Sequence, residues 1–133
     1  MEACERKFFP KSERLFLKKD IERLFDDGQS FISYPLRIVY LSDAADLSSA
    51  SGISVLIGVP KKRIRKAVQR NRIKRLIREA YRLNKNDFLS HCVQGGKHLR
   101  MAFMYVCNET RPYADLEKAV RKAFSVIRQK ENL

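Results

Sequence analysis

The sequence predicts an α+β fold in which one sheet is covered by helices, and two observations favour it. Apolar runs of strand length lie at residues 31–41, 53–59 and 101–107, and segments of helical periodicity precede the first run, separate the second from the third, and follow the third; 133 residues suffice for one sizeable core. No internal repeat or low-complexity tract interrupts the chain. We therefore expect a single domain over residues 1–133, in which residues 1–16 form a loosely held arm because they show no clean period.

The first predicted helix begins near Lys18. Its apolar residues recur at the spacing of one helical face, at Leu17, Ile21, Leu24 and Phe25. Gly28 lies where a left-handed C-terminal cap is expected, so the helix should end there.

The three apolar runs predict strands. The run at 31–41 indicates one strand, and Pro35 favours an edge position for its early part. A connection at 42–52, rich in Ser, Ala and Asp, precedes the run at 53–59, so we expect the sheet to grow by a hairpin-like return. The run at 101–107 follows a Gly-Gly loop and predicts a third strong strand.

Two further helices are expected. One long helical pattern lies between the runs at 53–59 and 101–107. A closing helix begins near Pro112, because proline is favoured in a first helical turn. One side of this helix is apolar and comprises Tyr113, Leu116, Val120, Phe124 and Ile127.

Residues 61–82 concentrate the positive charge of the chain. They supply +10 of the net charge of +13, with Glu79 as the one acid among eleven bases. The basic residues are Lys61, Lys62, Arg63, Arg65, Lys66, Arg70, Arg72, Lys74, Arg75, Arg78 and Arg82. Like charges at this density repel one another unless a polyanion neutralises them, which indicates a nucleic acid as the partner.

A membrane surface is the rival anionic partner. No stretch approaches the roughly 20 apolar residues that a spanning helix needs, and no apolar segment follows the charged start. We therefore expect a cytoplasmic protein that has no membrane partner, and no small-molecule substrate is expected.

Helical geometry divides the basic segment into two sides. At about 100° per residue, one stripe is apolar and must face the sheet; it comprises Ile73, Leu76, Ile77, Ala80 and Tyr81. On the opposite side lies a set that we call the basic ridge: Asn71, Arg75, Arg78 and Arg82. The basic ridge spans about 16 Å at roughly 1.5 Å per residue, so it can meet several phosphates, for which the planar fork of arginine is well suited.

The same segment resembles a known family. The continuous run KKRIRKAVQRNRIKRLIREAYR at 61–82 is similar to the characteristic segment of bacterial ribonuclease P proteins, whose hallmark is matched by Arg70-Asn71-Arg72. Other family counterparts are Phe9-Pro10 with Arg14-Leu15, the first helix ending at Gly28, and the last helix after Tyr113. The resemblance therefore covers nearly the whole chain, with departures at Ile21, where many members have an aromatic residue, and at Arg65, where some have glycine.

The resemblance implies a specific fold and a specific partner. The fold is a four-stranded sheet with three helices in the order α-β-β-β-α-β-α, like the second domain of ribosomal protein S5, with a left-handed βαβ crossover around the basic helix. The partner is the catalytic RNA subunit of ribonuclease P, which the basic segment binds, above all through Arg70, Asn71, Arg72, Arg75 and Arg78. A cleft between the first helix and the sheet is implied to hold the single-stranded 5′ leader of precursor tRNA.

Six residues are candidates for contact with the leader: Ile21, Phe25, Tyr34, Tyr40, Lys61 and Lys62. The aromatic rings are included because unpaired bases stack on such rings with little sequence preference, although a place in the core is the plainer interpretation. Ile21 takes the position of the family's aromatic residue. The two lysines follow the strand at 53–59, where their charge would screen the leader from the RNA subunit.

Catalysis by the protein itself is not expected, so no catalytic residue is assigned. The acidic pairs Asp26-Asp27 and Asp43 with Asp46 have no accompanying motif that would hold metal ions for hydrolysis. Mg²⁺ is expected in the active site of the RNA. The alternative function is that of a structural RNA-binding protein of the ribosome or another ribonucleoprotein, and a DNA-binding module comes third.

No metal site or cofactor site is expected on the protein. Cys4, Cys92 and Cys107 are odd in number and widely spaced, which favours reduced thiols over disulfides. His91, Cys92 and His98 lie close together in the sequence, but structural zinc usually takes four ligands, so an ordinary loop is the preferred interpretation.

Overall fold

The computed structural model describes residues 18–44 and 53–131. These residues form three helices, α1 (Lys18–Asp27), α2 (Ala67–Gln94) and α3 (Tyr113–Glu131). They also form four strands, β1 (Gln29–Ser33), β2 (Leu36–Ala44), β3 (Ile53–Gly58) and β4 (Lys97–Tyr105). The α+β class and the element order are confirmed, while the arm expected at 1–16 lies outside the described residues.

The four strands form one mixed sheet in the order β1-β2-β4-β3. The pairs β1–β2 and β2–β4 are antiparallel, and β3 pairs with β4 in parallel. A parallel pair needs a crossover connection, and α2 supplies it. The left-handed sense that the resemblance implies for this crossover stays a prediction.

The apolar run at 31–41 forms two strands, so the prediction of a single strand was wrong. Tyr34 and Pro35, joined by a cis peptide bond, make a turn that folds β1 back onto β2, with Ser33 opposite Leu36. β1 is an edge strand, as Pro35 indicated. The second strand then continues to Ala44, inside the segment expected to be a connection.

The hairpin-like return between β2 and β3 was also wrong. β4 lies between these two strands and pairs with both, and it begins at Lys97 rather than at 101. Apolar patterning identifies which residues form strands, but the order of strands in a sheet depends on contacts between distant parts of the chain. Here α2 carries the chain across the sheet and inserts β4 in the middle.

One face of the sheet carries the main core. Alternation along the strands directs Leu36, Ile38 and Tyr40 of β2, and Met101 and Phe103 of β4, toward α2 and α3. The two helices meet each other where the rings of Phe88 and Phe124 stack, with centroids 4.5 Å apart. The predicted stripe of α2 is confirmed, because four of its residues are at most 1% exposed and the fifth packs against the core: Ile73, Ile77, Ala80, Tyr81 and Leu76.

Among the residues that the structure describes, the opposite face is covered only in part, by α1. Leu24 of α1 is buried against Val39 of β2 and Ala102 of β4. Four partly buried side chains surround this contact, namely Ile21, Leu41, Leu56 and Met104. Much of this face is therefore not in contact with α1.

Gly28 ends α1 for a different reason from the predicted one. Its backbone is outside the left-handed region, and the one described glycine with a positive φ is Gly96, at 66°, just after α2. The Gly28 amide donates to the carbonyl oxygen of Leu24 at 2.9 Å, and a Cβ at this position would collide with that oxygen and lie 2.9 Å from the carbonyl oxygen of Tyr40. Glycine thus allows the helix end to approach β2 closely.

Candidate nucleic-acid interface

The loop between β3 and α2 presents the first group of cations. A turn holds its shape, because the amides of Arg63 and Ile64 donate to the carbonyl oxygen of Pro60 at 3.0 and 3.2 Å. The Ile64 side chain is 4% exposed and anchors the loop in the core. This anchoring leaves four exposed cations at Lys61, Lys62, Arg65 and Lys66.

Arg70 connects this loop to the first turns of α2. Its Nη1 atom donates to the carbonyl oxygens of Ile64 and Arg65, at 3.0 and 2.6 Å. The side chain is half-buried as a result. Arg63 is likewise half-buried, with an Nη1 atom 3.3 Å from Oδ1 of Asn108. Both arginines therefore stabilise the local structure, and their side chains are less available to an external ligand than those of the exposed cations beside them.

Four predicted contact residues project from the exposed side of α2. Asn71, Arg72, Arg75 and Arg78 are exposed, and in the part of the chain that the structure describes none of the three arginines pairs with an acid. Lys74 is half-buried beside them. The solvent-facing part of α2 therefore carries uncompensated positive charge between residues 71 and 78.

Arg82 is not fully outward, so its expected orientation in the basic ridge was wrong. Its Nε and Nη2 atoms donate to Oε1 and Oε2 of Glu79, at 3.1 and 2.7 Å, and the side chain is half-buried. The hydrogen bond from Arg82 lowers the pKa of Glu79. Residues three apart meet on a helix surface, and here that contact neutralises the C-terminal end of the basic ridge.

The predicted cleft corresponds to the half-covered face beside α1. Phe25 is 45% exposed although it lies on α1, and Ile21 is partly buried at the margin of the Leu24 contact. Lys61 and Lys62 are exposed just beyond the end of β3. These four predicted leader residues therefore border the α1 side of the sheet or one end of it.

The two tyrosines of the leader set lie elsewhere. Tyr40 is 1% exposed in the main core, and its hydroxyl donates to Oε1 of Gln29 at 3.0 Å. Tyr34 is 57% exposed at the β1–β2 turn, where its ring lies 5.2 Å from the guanidinium carbon of Arg111. The structure thus brings neither ring to the α1 side of the sheet.

Sequence reasoning missed Arg37 and Met104. Arg37 is exposed on β2 and, two residues from Val39, points to the α1 side of the sheet. The register places Arg37 between Ile32 of β1 and Met104 of β4, so the three form one row across adjacent strands. A cation inside the apolar run at 31–41 was the signal that could have identified this row.

The described acids and histidines occur singly or in pairs. Asp26 and Asp27 are exposed at the end of α1, Asp43 belongs to β2, and Asp46 lies outside the described residues. His91 Nε2 is 3.5 Å from Oδ1 of Asp87, and His98 Nε2 shares a hydrogen bond with Ser54 Oγ at 3.0 Å. Within residues 18–44 and 53–131, no three His, Cys, Asp or Glu residues are grouped to hold a metal ion.

Two of the three cysteines are described, and both are free and buried, while Cys4 lies outside the described residues. Burial raises the pKa of the Cys107 thiol, but hydrogen bonds from Tyr34, Arg111 and the Glu109 backbone, together with the charge of Arg111, outweigh burial and lower the pKa to about 7. Cys107 thus belongs to a polar cluster with Tyr34 and Arg111. Among the described helices, none is both long enough and apolar enough to cross a membrane.

The fold and the exposed cations of α2 define a class of small, basic α+β protein with a cationic helix beside a four-stranded mixed sheet. A family model described as Ribonuclease P matches residues 9–128. The chain belongs to the ribonuclease P protein family.

Individual relatives agree with this assignment. The Ribonuclease P protein component of Porphyromonas gingivalis is 44% identical over 113 residues, which cover 85% of this chain and 81% of the relative. The RNase P protein of Thermotoga maritima has a similar structure, with a TM-score of 0.52 and 26% identity over 89% of this chain and 90% of that chain. The Staphylococcus aureus RNase P protein shares the fold, with a TM-score of 0.64 and 20% identity over 88% of this chain and 96% of that chain.

Proposed function

We propose that this protein binds the catalytic RNA subunit of ribonuclease P and the 5′ leader of precursor tRNA, and so assists the endonucleolytic removal of the leader. The observation that carries the proposal is the group Asn71, Arg72, Arg75 and Arg78, which is exposed on one stretch of α2. Family membership supports a role in tRNA processing. The proposed partners are RNAs of the bacterial cytoplasm, where the protein would act.

The charge of α2 is the first support. The stretch from Asn71 to Arg78 is about 10 Å long at roughly 1.5 Å per residue, which is enough to contact more than one phosphate. Arg72, Arg75 and Arg78 lack acidic partners among the described residues, so their charge is available to an external anion. A bidentate contact with phosphate uses the arginine fork, and each neutralised phosphate releases counterions that favour association.

The half-covered face of the sheet is the second support. Phe25 presents an exposed ring on α1, and the row formed by Ile32, Arg37 and Met104 offers one cation between two apolar side chains. Sites for unpaired strands combine stacking surfaces with positive charge along the backbone. This face therefore has the chemistry required to hold the leader between α1 and the sheet, whereas the buried Tyr40 has no part in it.

We assign the chemical step to the RNA subunit. Phosphodiester hydrolysis generally uses metal ions held by grouped oxygen ligands, and the described carboxylates are dispersed. Mg²⁺ would be bound in the RNA active site. The exposed cations at Lys61, Lys62, Arg65 and Lys66 would reduce repulsion between leader and RNA subunit, and so lower the Mg²⁺ concentration that cleavage requires.

The test is a charge reversal with a matched control. The double variant Arg75→Glu/Arg78→Glu should lose most of its affinity for ribonuclease P RNA in a filter-binding assay, while its circular dichroism spectrum stays unchanged because both side chains are exposed. Lys18→Glu/Lys19→Glu changes the net charge equally, from exposed positions on α1. Equal affinity losses in the two double variants would show that net charge alone governs binding and would refute the assignment to α2.

A further inference from the structure

A cavity at the β1–β2 turn is lined by none of the residues assigned to the two proposed RNA-binding surfaces. Its volume is about 320 Å³, and its lining includes Tyr34, Arg111, Asp115, Lys118 and Lys122. We call it the Tyr34 pocket. Asp115, Lys118 and Lys122 belong to α3, which covers the main core. In contrast, α1 lies on the opposite face of the sheet. The proposed leader cleft therefore does not include this pocket.

The Tyr34 ring has the properties of a stacking surface. It is 57% exposed, so a large part of the ring is accessible to a ligand. The guanidinium of Arg111 supports it, with a carbon 5.2 Å from the ring centroid and an Nη2 atom that donates to the Tyr34 hydroxyl at 3.4 Å. A supported and exposed aromatic ring is the arrangement on which proteins stack unpaired bases.

The charges around the ring favour a phosphate. Asp115 is the one acid among the lining residues, and its Oδ2 atom is 3.7 Å from Nη1 of Arg111, so these two charges offset each other. Lys118 and Lys122 follow one another by a single helical turn and are both exposed. Neither lysine pairs with an acid in the part of the chain that the structure describes. The pocket therefore retains two uncompensated positive charges beside an aromatic ring.

Two hydrogen bonds fix the frame of the pocket. The Ser33 hydroxyl donates to the carbonyl oxygen of Ala119 at 2.8 Å and ties β1 to α3. The amide of Val106 donates to the carbonyl oxygen of Pro35 at 2.9 Å and ties the turn to the end of β4. A ligand would therefore meet walls that are already in place, which reduces the entropy lost on binding.

Arg111 also joins this pocket to the cationic helix. It lines a second cavity of about 310 Å³, together with Gln69 and Arg72 at the start of α2. Arg72 belongs to the proposed RNA-binding stretch. An RNA strand lying across Arg72 would therefore meet Arg111 next and then reach Tyr34.

We propose that the Tyr34 pocket binds one unpaired nucleotide of an RNA strand, with the base stacked on Tyr34 and a phosphate between Lys118 and Lys122. The volume is near the lower end of the roughly 300–1,000 Å³ typical of small-ligand sites, which suits one nucleotide rather than a duplex. The inference rests on the proposed RNA-binding function, and it adds a separate site beside the proposed RNA-binding stretch of α2.

The test uses a short single-stranded oligoribonucleotide and the nuclear magnetic resonance signals of the tyrosine rings. The Tyr34 signal is assigned by its loss in Tyr34→Phe. The oligoribonucleotide should shift this signal in the wild-type protein and also in Arg75→Glu/Arg78→Glu, because the pocket does not use those arginines. An unshifted Tyr34 signal in both proteins, at oligoribonucleotide concentrations that saturate the wild-type protein, would overturn the proposal.

Affinity measurements in the Arg75→Glu/Arg78→Glu background separate the contributions of ring and charge. Tyr34→Ala should weaken oligoribonucleotide binding about tenfold, as expected on removal of one stacking surface, whereas Tyr34→Phe should bind normally. Lys118→Ala/Lys122→Ala should reduce the slope of log affinity against log salt by about 0.7, which corresponds to the loss of one phosphate contact on a single strand. Unchanged affinity in Tyr34→Ala would contradict the site.

Two competing ligands test whether the pocket binds an unpaired RNA strand, a free nucleotide or a duplex RNA. A nucleoside monophosphate that binds as tightly as the oligoribonucleotide would indicate a site for free nucleotides and would overturn the assignment to an RNA strand. A duplex RNA that binds equally well would overturn the claim that the nucleotide is unpaired. Failure of this site is distinguishable from failure of the proposed function, since binding of ribonuclease P RNA is measured separately with the Arg75 and Arg78 variant.

Discussion

Arg70 donates a hydrogen bond from Nη1 to the carbonyl oxygen of Arg65, over 2.6 Å. A second bond from the same atom reaches the carbonyl oxygen of Ile64 at 3.0 Å. The side chain thus closes the loop that carries Lys61, Lys62, Arg65 and Lys66 against the start of α2. Arg70 therefore fixes the position of the basic loop relative to the exposed arginines of α2, as a rigid phosphate-binding surface requires.

Arg70 should consequently affect stability as well as RNA binding. Arg70→Ala removes both loop contacts and should lower the free energy of unfolding by about 1–2 kcal/mol, at the usual net value of about 0.5–1 kcal/mol for each hydrogen bond in a partly exposed setting. Arg72→Ala, at an exposed neighbouring position, should reduce RNA affinity without this loss. Urea denaturation of the two variants measures the difference. Coincident unfolding curves for Arg70→Ala and the wild-type protein would show that the loop contacts contribute nothing.

RNA binding should depend steeply on salt, and individual arginines should contribute unequally. Replacing Arg75 with alanine should reduce the slope of log affinity against log salt by about 0.7–0.9, because one phosphate contact is lost. Arg82→Ala should leave the slope unchanged, since Arg82 is already neutralised by Glu79. Titrations of ribonuclease P RNA at several salt concentrations provide both values. Equal slopes for wild type and Arg75→Ala would remove Arg75 from the interface.

The stripe of α2 that faces the sheet should control folding. Ile77 is fully buried, so Ile77→Ala should lower the free energy of unfolding by about 2–5 kcal/mol through lost burial and a residual cavity. Val68 lies on the same helix but is 81% exposed, and Val68→Ala should change stability by no more than about 0.5 kcal/mol. Thermal unfolding of the pair tests this contrast. Similar melting temperatures for the two variants would mean that the helix is not packed as described.

Cys107 should make stability depend on pH. In the folded protein burial raises the pKa of Cys107, but hydrogen bonds from Tyr34, Arg111 and the Glu109 backbone, with the charge of Arg111, together lower the pKa from 9.0 to about 7. The folded protein therefore favours the thiolate, whose contribution is fully present above about pH 9 and is lost as the pH falls through about 7. The stability difference between wild type and Cys107→Ala should grow across this range. A difference that is independent of pH would show that the thiol does not ionise on folding.

The faces of the elements could be predicted from the sequence, but their arrangement could not. Ile73, Ile77 and Tyr81 recur at helical spacing, and the structure buries all three because that spacing alone decides which side of α2 is apolar. The turn at Tyr34 and Pro35 was missed because apolar residues lie on both sides of it. The insertion of β4 between β2 and β3 depends on long-range pairing, which leaves no local pattern.

Some features of the candidate site could likewise be predicted from the sequence, and others could not. The exposure of Asn71, Arg75 and Arg78 follows from helical geometry, so it could be predicted. The spacing of three residues between Glu79 and Arg82 allows an ion pair on a helix. Whether the pair forms, and so neutralises Arg82, depends on the side-chain positions that the structure shows. The separation of Tyr34 from the α1 side of the sheet depends on Arg111 and α3, far along the chain, and sequence spacing gave no sign of it.

The most direct test of the proposed function is the cleavage of two precursor tRNAs at low Mg²⁺ by ribonuclease P RNA, with and without the protein. One precursor carries a leader of several nucleotides and the other a leader of a single nucleotide. The protein should stimulate cleavage of the long-leader precursor much more, because in the proposed function only that leader would reach the face lined by Phe25, Arg37 and Met104. Equal stimulation of both precursors, or cleavage by the protein without the RNA subunit, would contradict the proposed function.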